Sequence, residues 1–235
     1  FMDKELIRLQ EIEGELRSSE EVKLQLVYPA LKRRNNSGRV VVLGGSFNPF
    51  HKAHLELAKR SVEAVDAAEI VVYITLAHYN KTFNGATNAK RLYMLGLERE
   101  DLPFMSVGVI NNGLYRNFID KFGEFHPGEK LAYYCATGAD LFPVILESTP
   151  VEYYTKLFAI DWLVGGRNGK SLPHLELPSG FESYREKASH LSMPRELKDV
   201  SSSGLASLLN ARDIKVLDYI SQSAFDFIKQ EGITY

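Results

Sequence analysis

The chain has 235 residues, 45% hydrophobic and 25% charged, with a formal net charge of -2, the profile of an ordinary globular domain. That balance argues against a disordered chain, and gives no electrostatic case for nucleic acid or an anionic membrane as partner. Its single cysteine, Cys135, excludes an intramolecular disulfide and fits a reducing, cytoplasmic setting, and no apolar run approaches the ~18 residues of a spanning helix.

Residues 1–38 read as an N-terminal helical extension and linker. Leu6, Ile7, Leu9, Ile12 and Leu16 recur at helical spacing, and Ser18-Ser19-Glu20-Glu21 has the pattern of a cap for a second helix. Lys32-Arg33-Arg34-Asn35-Asn36-Ser37-Gly38 is polar and turn-rich, a surface link. This extension is expected to pack on the core or on a second copy of the protein, so a homo-oligomer is left open.

Val40-Val41-Val42-Leu43 then reads as a strand covered on both faces. Gly44-Gly45 allows close approach to the backbone, Asn48-Pro49 continues the turn, and a helix is expected from near His51. Its first amides are unpaired and its dipole is positive there, which suits an anion. His51 and His54, three apart, share one face of the first turn. Paired histidines also occur as plain surface residues or as half of a metal site. Here no acidic residue lies between them and no cysteine is near, so no metal site is read.

Glu69 to Ile74 is a second strand, which makes a βαβ unit. The following loop carries Lys81 and leaves the sheet at the same edge as the Gly-Gly turn. A helix over 87–97 brings Arg91 and Met94 one turn apart. Phe104–Ile110 and Lys130–Ala136 are further strands, the second leading into Thr137-Gly138-Ala139-Asp140. Asp140 suits a helix N-cap or a pair of ribose hydroxyls. Leu157–Val164 reads as one strand with Trp162 in the core, closed by the turn Gly165-Gly166-Arg167-Asn168-Gly169. Residues 170–194 wrap the surface with room for one short strand. Ser201-Ser202-Ser203 open a helix that they can cap, beside amides that suit an anion. The chain then runs through helical pattern to a glycine stop and an aromatic. The expected fold is α/β: a doubly wound, mainly parallel sheet over 39–195, with a small C-terminal helical subdomain over 196–235.

Gly44-Gly45-Ser46-Phe47-Asn48-Pro49-x-His51-x-x-His54 resembles the G-G-[ST]-F-[DN]-P-x-H-x-G-H signature of the nucleotidyltransferase superfamily, with Ala53 in place of the glycine. Within it the likeness is closest to the nicotinamide/nicotinate mononucleotide adenylyltransferases, and it runs over roughly residues 39–235. Gly138-Ala139-Asp140 resembles that family's Gly-x-Asp segment. Val200-Ser201-Ser202-Ser203-Gly204-Leu205-Ala206 resembles its Ile-Ser-Ser-Thr-x-Ile-Arg, with Ala206 where the arginine stands. The resemblance implies a Rossmann-like fold and adenylyl transfer from ATP to a nicotinamide or nicotinate mononucleotide, with Mg2+ accompanying ATP. It implies His51 and His54 as catalytic residues, at least one of them working protonated. It places Gly44, Gly45, Ser46, Phe47, Gly138, Asp140, Arg167, Ser201, Ser202 and Ser203 at ATP, and Asn48, Lys81 and Arg91 at the mononucleotide. Two departures touch the substrate: Leu114 to Asp120 lacks the family's threonines, and no tryptophan follows Asp140. Another phosphorylated acceptor, or a nucleotide-binding protein with little turnover, are the alternatives. Arg212 is a further arginine, six positions after Ala206.

Overall fold

The computed structural model describes residues 2–76, 85–113, 115–167 and 169–235. Its strands are β1 (Leu24–Tyr28), β2 (Arg39–Gly44), β3 (Glu69–Thr75), β4 (Met105–Ile110), β5 (Ala132–Gly138), β6 (Asp161–Gly165) and β7 (Ala188–Leu191). They form one sheet in the order β1-β4-β3-β2-β5-β6-β7, parallel throughout except that β1 runs antiparallel to β4. The helices are α1 (Met2–Arg17), α2 (Lys52–Ala64), α3 (Asn88–Leu97), α4 (Tyr115–Gly123), α5 (Phe142–Ser148), α6 (Tyr154–Phe158), α7 (Ser202–Asn210) and α8 (Gln222–Gln230).

Strand alternation divides the core. Val41 and Leu43 of β2 face a layer containing Leu9, Leu57, Val62 and Leu92 from α1, α2 and α3. Val40 and Val42 face the other layer, with Phe118, Phe142 and Leu157 from α4, α5 and α6. With both faces covered, an unbroken apolar strand is what β2 requires. Trp162 lies fully buried in that second layer, its ring 5.1 Å from Tyr115 and 5.3 Å from Phe142. A third cluster joins α7 and α8 to Leu6 of α1 and Met94 of α3.

Two expected elements differ. The second N-terminal helix is instead β1. The Asn111 side chain ties this segment to the end of β4, accepting from Lys23 N–H at 2.8 Å and donating to the Glu21 carbonyl at 2.7 Å. The run 157–164 is not one strand: α6 ends at Phe158, and β6 begins at Asp161, in register with Tyr134. The short strand allowed for in 170–194 is β7.

The sheet order fixes where a ligand can enter. From β2 the chain builds outward to β3 and β4, then returns to lay β5 and β6 on the other side of β2. The reversal opens a crevice at the carboxyl ends of β2 and β5, the position at which open α/β sheets bind ligands. The Gly44-Gly45 turn and the Gly138–Asp140 segment flank it.

Candidate active site

The turn after β2 is tightly determined. Gly45 N–H donates to the Tyr73 carbonyl at 3.2 Å, and a Cβ on Gly45 would lie 2.7 Å from the Phe47 ring, so only glycine fits. Phe47 itself has φ 46°, and the Asn48-Pro49 peptide is cis. Asn48 Oδ1 accepts from Ala86 N–H at 3.1 Å, joining the turn to the segment before α3. The turn delivers the chain to His51, the N-cap of α2.

His51 and His54 stack with ring centroids 3.7 Å apart and planes 21° apart. His51 N–H donates to His54 Nδ1 at 3.3 Å, so neutral His54 carries its proton on Nε2 and presents a donor there. Phe47 meets His54 edge-to-face at 5.1 Å, and Phe50 lies tilted against it at 5.3 Å. His51 is buried, with 1% of its surface exposed. Burial, and then the positive charge of Arg167, pull its pKa down to about 3. Burial, His51 and Arg167 push His54 well below the ordinary histidine range too. In the free protein both shifts favour the neutral rings, so a working protonated imidazole needs an anion beside it.

The far wall comes from β5, β6 and α7. Gly138 admits no side chain, since a Cβ would fall 2.6 Å from Asp140 Oδ1. Arg167, after β6, sets Nε 3.8 Å from Asp140 Oδ2 and donates from Nη2 to the Val200 carbonyl at 3.2 Å. Ser201 caps α7, its hydroxyl accepting from Gly204 N–H at 3.1 Å, and Ser203 Oγ lies 3.4 Å from Ser201 Oγ. Ser202 Oγ donates to the Pro49 carbonyl at 3.1 Å, which ties α7 to the turn after β2.

Between these walls lies a cavity of about 480 Å³. Gly44, Gly45, Ser46, Phe47, Asn48, His54, Gly138, Asp140, Arg167, Ser201, Ser202 and Ser203 all line it. His51 stands directly behind His54. Arg91 is buried behind the turn rather than in this cavity, and donates from Nη1 to the Ser46 carbonyl at 2.6 Å. Lys81 lies outside the described residues. Ala206 lines the cavity too, at the position the resemblance gives to an arginine; Thr137 and Tyr235 also line it, and sequence reasoning did not place them there. Tyr235 is held by the Asn210 amide, which donates to its carbonyl at 2.6 Å and accepts its N–H at 2.7 Å. That pairing spans α8 and left no local signal. Arg212 does not replace the cation missing at Ala206: it follows α7 and donates to the Leu209 carbonyl at 3.0 Å.

Chemically, the cavity offers turn amides, an imidazole donor, one guanidinium and two helix N-termini to an anion, and one carboxylate to a hydroxyl. Among the described residues no three histidine, cysteine or acidic side chains gather as a metal site, and Asp140 is the one carboxylate lining the cavity. These residues fit a divalent ion held mainly by the oxygens of a bound polyphosphate.

A cytidylyltransferase-like family model matches residues 42–157, a span that holds the Gly44–His54 motif, β5 and Asp140. Over that span, just under half of its length, the chain is similar to the cytidylyltransferase-like nucleotidyltransferases. A probable nicotinate-nucleotide adenylyltransferase/Ap4A hydrolase of Mycoplasma pneumoniae is 31% identical over 121 residues, 50% of this chain. The match spans 35% of that relative, so the chain corresponds to about a third of its length. A probable nicotinate-nucleotide adenylyltransferase of Endomicrobium trichonymphae is 20% identical over 204 residues, 83% of this chain and 98% of that protein. Plasmodium falciparum nicotinic acid mononucleotide adenylyltransferase, solved with APC and with NaAD, superposes with TM-scores of 0.58 and 0.61 at 18% and 19% identity. The match covers 83% of this chain and 96% of that one, and so shows a shared fold.

Proposed function

We propose that the protein transfers the adenylyl group of ATP to the phosphate of nicotinate or nicotinamide mononucleotide, forming the dinucleotide and pyrophosphate. The observation that carries this is the His51–His54 stack behind the Gly44-Gly45 turn, facing Asp140 and Arg167 across the sheet's switch point. The names of the bacterial relatives support the acceptor.

The attacking oxygen belongs to the mononucleotide phosphate. It bonds to the α-phosphorus of ATP, and the bond from that phosphorus to the β-phosphate bridging oxygen breaks. The protein supplies no nucleophile, so its part is positioning and charge stabilisation. His54 Nε2–H and the turn amides receive the charge that grows on the departing pyrophosphate. A polyanion beside the stack raises both imidazole pKa values, so protonation accompanies binding. Arg167 and the N-termini of α2 and α7 supply positive potential where Ala206 leaves no cation. Asp140 accepts from ribose hydroxyls. Mg2+ bound with ATP would neutralise phosphate charge, with Asp140 the carboxylate lining the cavity that could help hold it.

The test is pyrophosphate release with ATP against a panel of acceptors. Release and dinucleotide formation are expected with nicotinate or nicotinamide mononucleotide. Release only with a pantetheine or alcohol phosphate would move the assignment to another acceptor, the reading motivated by the missing threonines. ATP binding by calorimetry without release from any acceptor would favour a binding protein with little turnover.

A further inference from the structure

A hydrogen-bonded chain runs from the N-terminal helix to the Gly44–Ser46 turn. Glu13 of α1 accepts from Asn88 Nδ2 at 2.6 Å. Asn88 Oδ1 in turn accepts from Arg91 Nη2. Arg91 Nη1 donates to the Ser46 carbonyl at 2.6 Å. Each donor and acceptor in this series agrees with the next, since the Asn88 amide gives on one side and receives on the other. Arg91 is 2% exposed, and burial pulls its pKa down to about 10, opposed first by the negative charge of Glu13. A buried guanidinium needs a counter-charge. Here the carboxylate comes from α1, an element that precedes the span matched by the family model. On its outer side Glu13 meets Arg17 at 2.8 Å, a pair half open to solvent.

We infer that Glu13 is a positioning residue for the nucleotide: through Asn88 and Arg91 it holds the Ser46 carbonyl and so orients the turn amides. This rests on the reading that the turn receives the ATP phosphates. It makes α1 part of the working site rather than a packing appendage, and it touches the donor nucleotide more than the acceptor.

The experiment compares Glu13→Gln, the double variant Glu13→Gln/Asn88→Asp, and Glu5→Gln as a control on the same helix. Glutamine keeps the shape and removes the charge, so the packing of Leu6, Leu9 and Leu16 survives. Glu13→Gln is expected to raise the ATP KM by about tenfold, the effect of taking the charge out of a charge-assisted hydrogen bond, with the acceptor KM little changed. The double variant returns a carboxylate to Arg91 and is expected to recover most of the loss. Glu5→Gln, whose partner Arg8 lies outside the chain of contacts, should match the parent protein. An unchanged ATP KM in Glu13→Gln, an equal rise in both KM values, or no recovery in the double variant would overturn the inference. Absence of ATP-dependent pyrophosphate release in the parent protein would instead remove the functional reading, and the inference with it.

Discussion

Replacing His54 with alanine is expected to lower turnover by about a hundred- to a thousandfold, the usual effect of deleting one preorganised donor to a developing anion. The size follows from its place. His54 lines the cavity, its Nδ1 is occupied by the backbone of His51, and its remaining nitrogen is the imidazole donor the cavity offers. Among the described residues, Arg167 is engaged with Val200 and Asp140, and Ser202 with Pro49. The loss should fall on kcat with a smaller change in ATP affinity, because the interaction strengthens as pyrophosphate departs. Single-turnover adenylyl transfer checks this. Turnover near the parent rate would mean that His54 is not at the reacting phosphates.

Acid is expected to destabilise the free protein steeply below pH 6.5. The sign follows from the direction of the shifts. An unfolded histidine binds a proton near pH 6.5, whereas folded His51 resists until about 3 and folded His54 is depressed in the same direction. Between those values the unfolded state holds more protons, so stability falls as pH falls. His51 alone accounts for about 2 kcal/mol at pH 5, and the two rings together for more. Thermal unfolding between pH 7.5 and 5 should show this loss. ATP should blunt it, because phosphate charge beside the rings favours the imidazolium forms. A flat profile over that range would contradict the burial of the pair.

The central part of the fold is legible in the sequence because local and tertiary signals agree there. Val40 to Leu43 suit a strand covered on both faces, and Gly45 leaves room for the Phe47 ring that a side chain would have to displace. Elsewhere they conflict. Ser18 to Glu21 has a helix-cap pattern, yet Leu24–Tyr28 joins the sheet, because an Asn111 side chain far along the chain supplies its anchor. Leu157 and Phe158 are as apolar as Trp162, so a run that divides at Ala159 reads as continuous. At the cavity, the glycine, serine and histidine motifs announce themselves by residue type and spacing. Tyr235 does not, because its position is set by Asn210 across α8, and Glu13 does not, because its link to Ser46 passes through two residues of another element, α3.

The proposed transfer requires a triphosphate lying against the Gly44–Ser46 amides and His54. A crystal structure with a non-hydrolysable ATP analogue measures it directly. The prediction is β- and γ-phosphate oxygens within hydrogen-bonding distance of those amides and of His54 Nε2, with the ribose beside Asp140. Phosphates bound outside this crevice, or a bound nucleotide that leaves His54 without a contact, would contradict it.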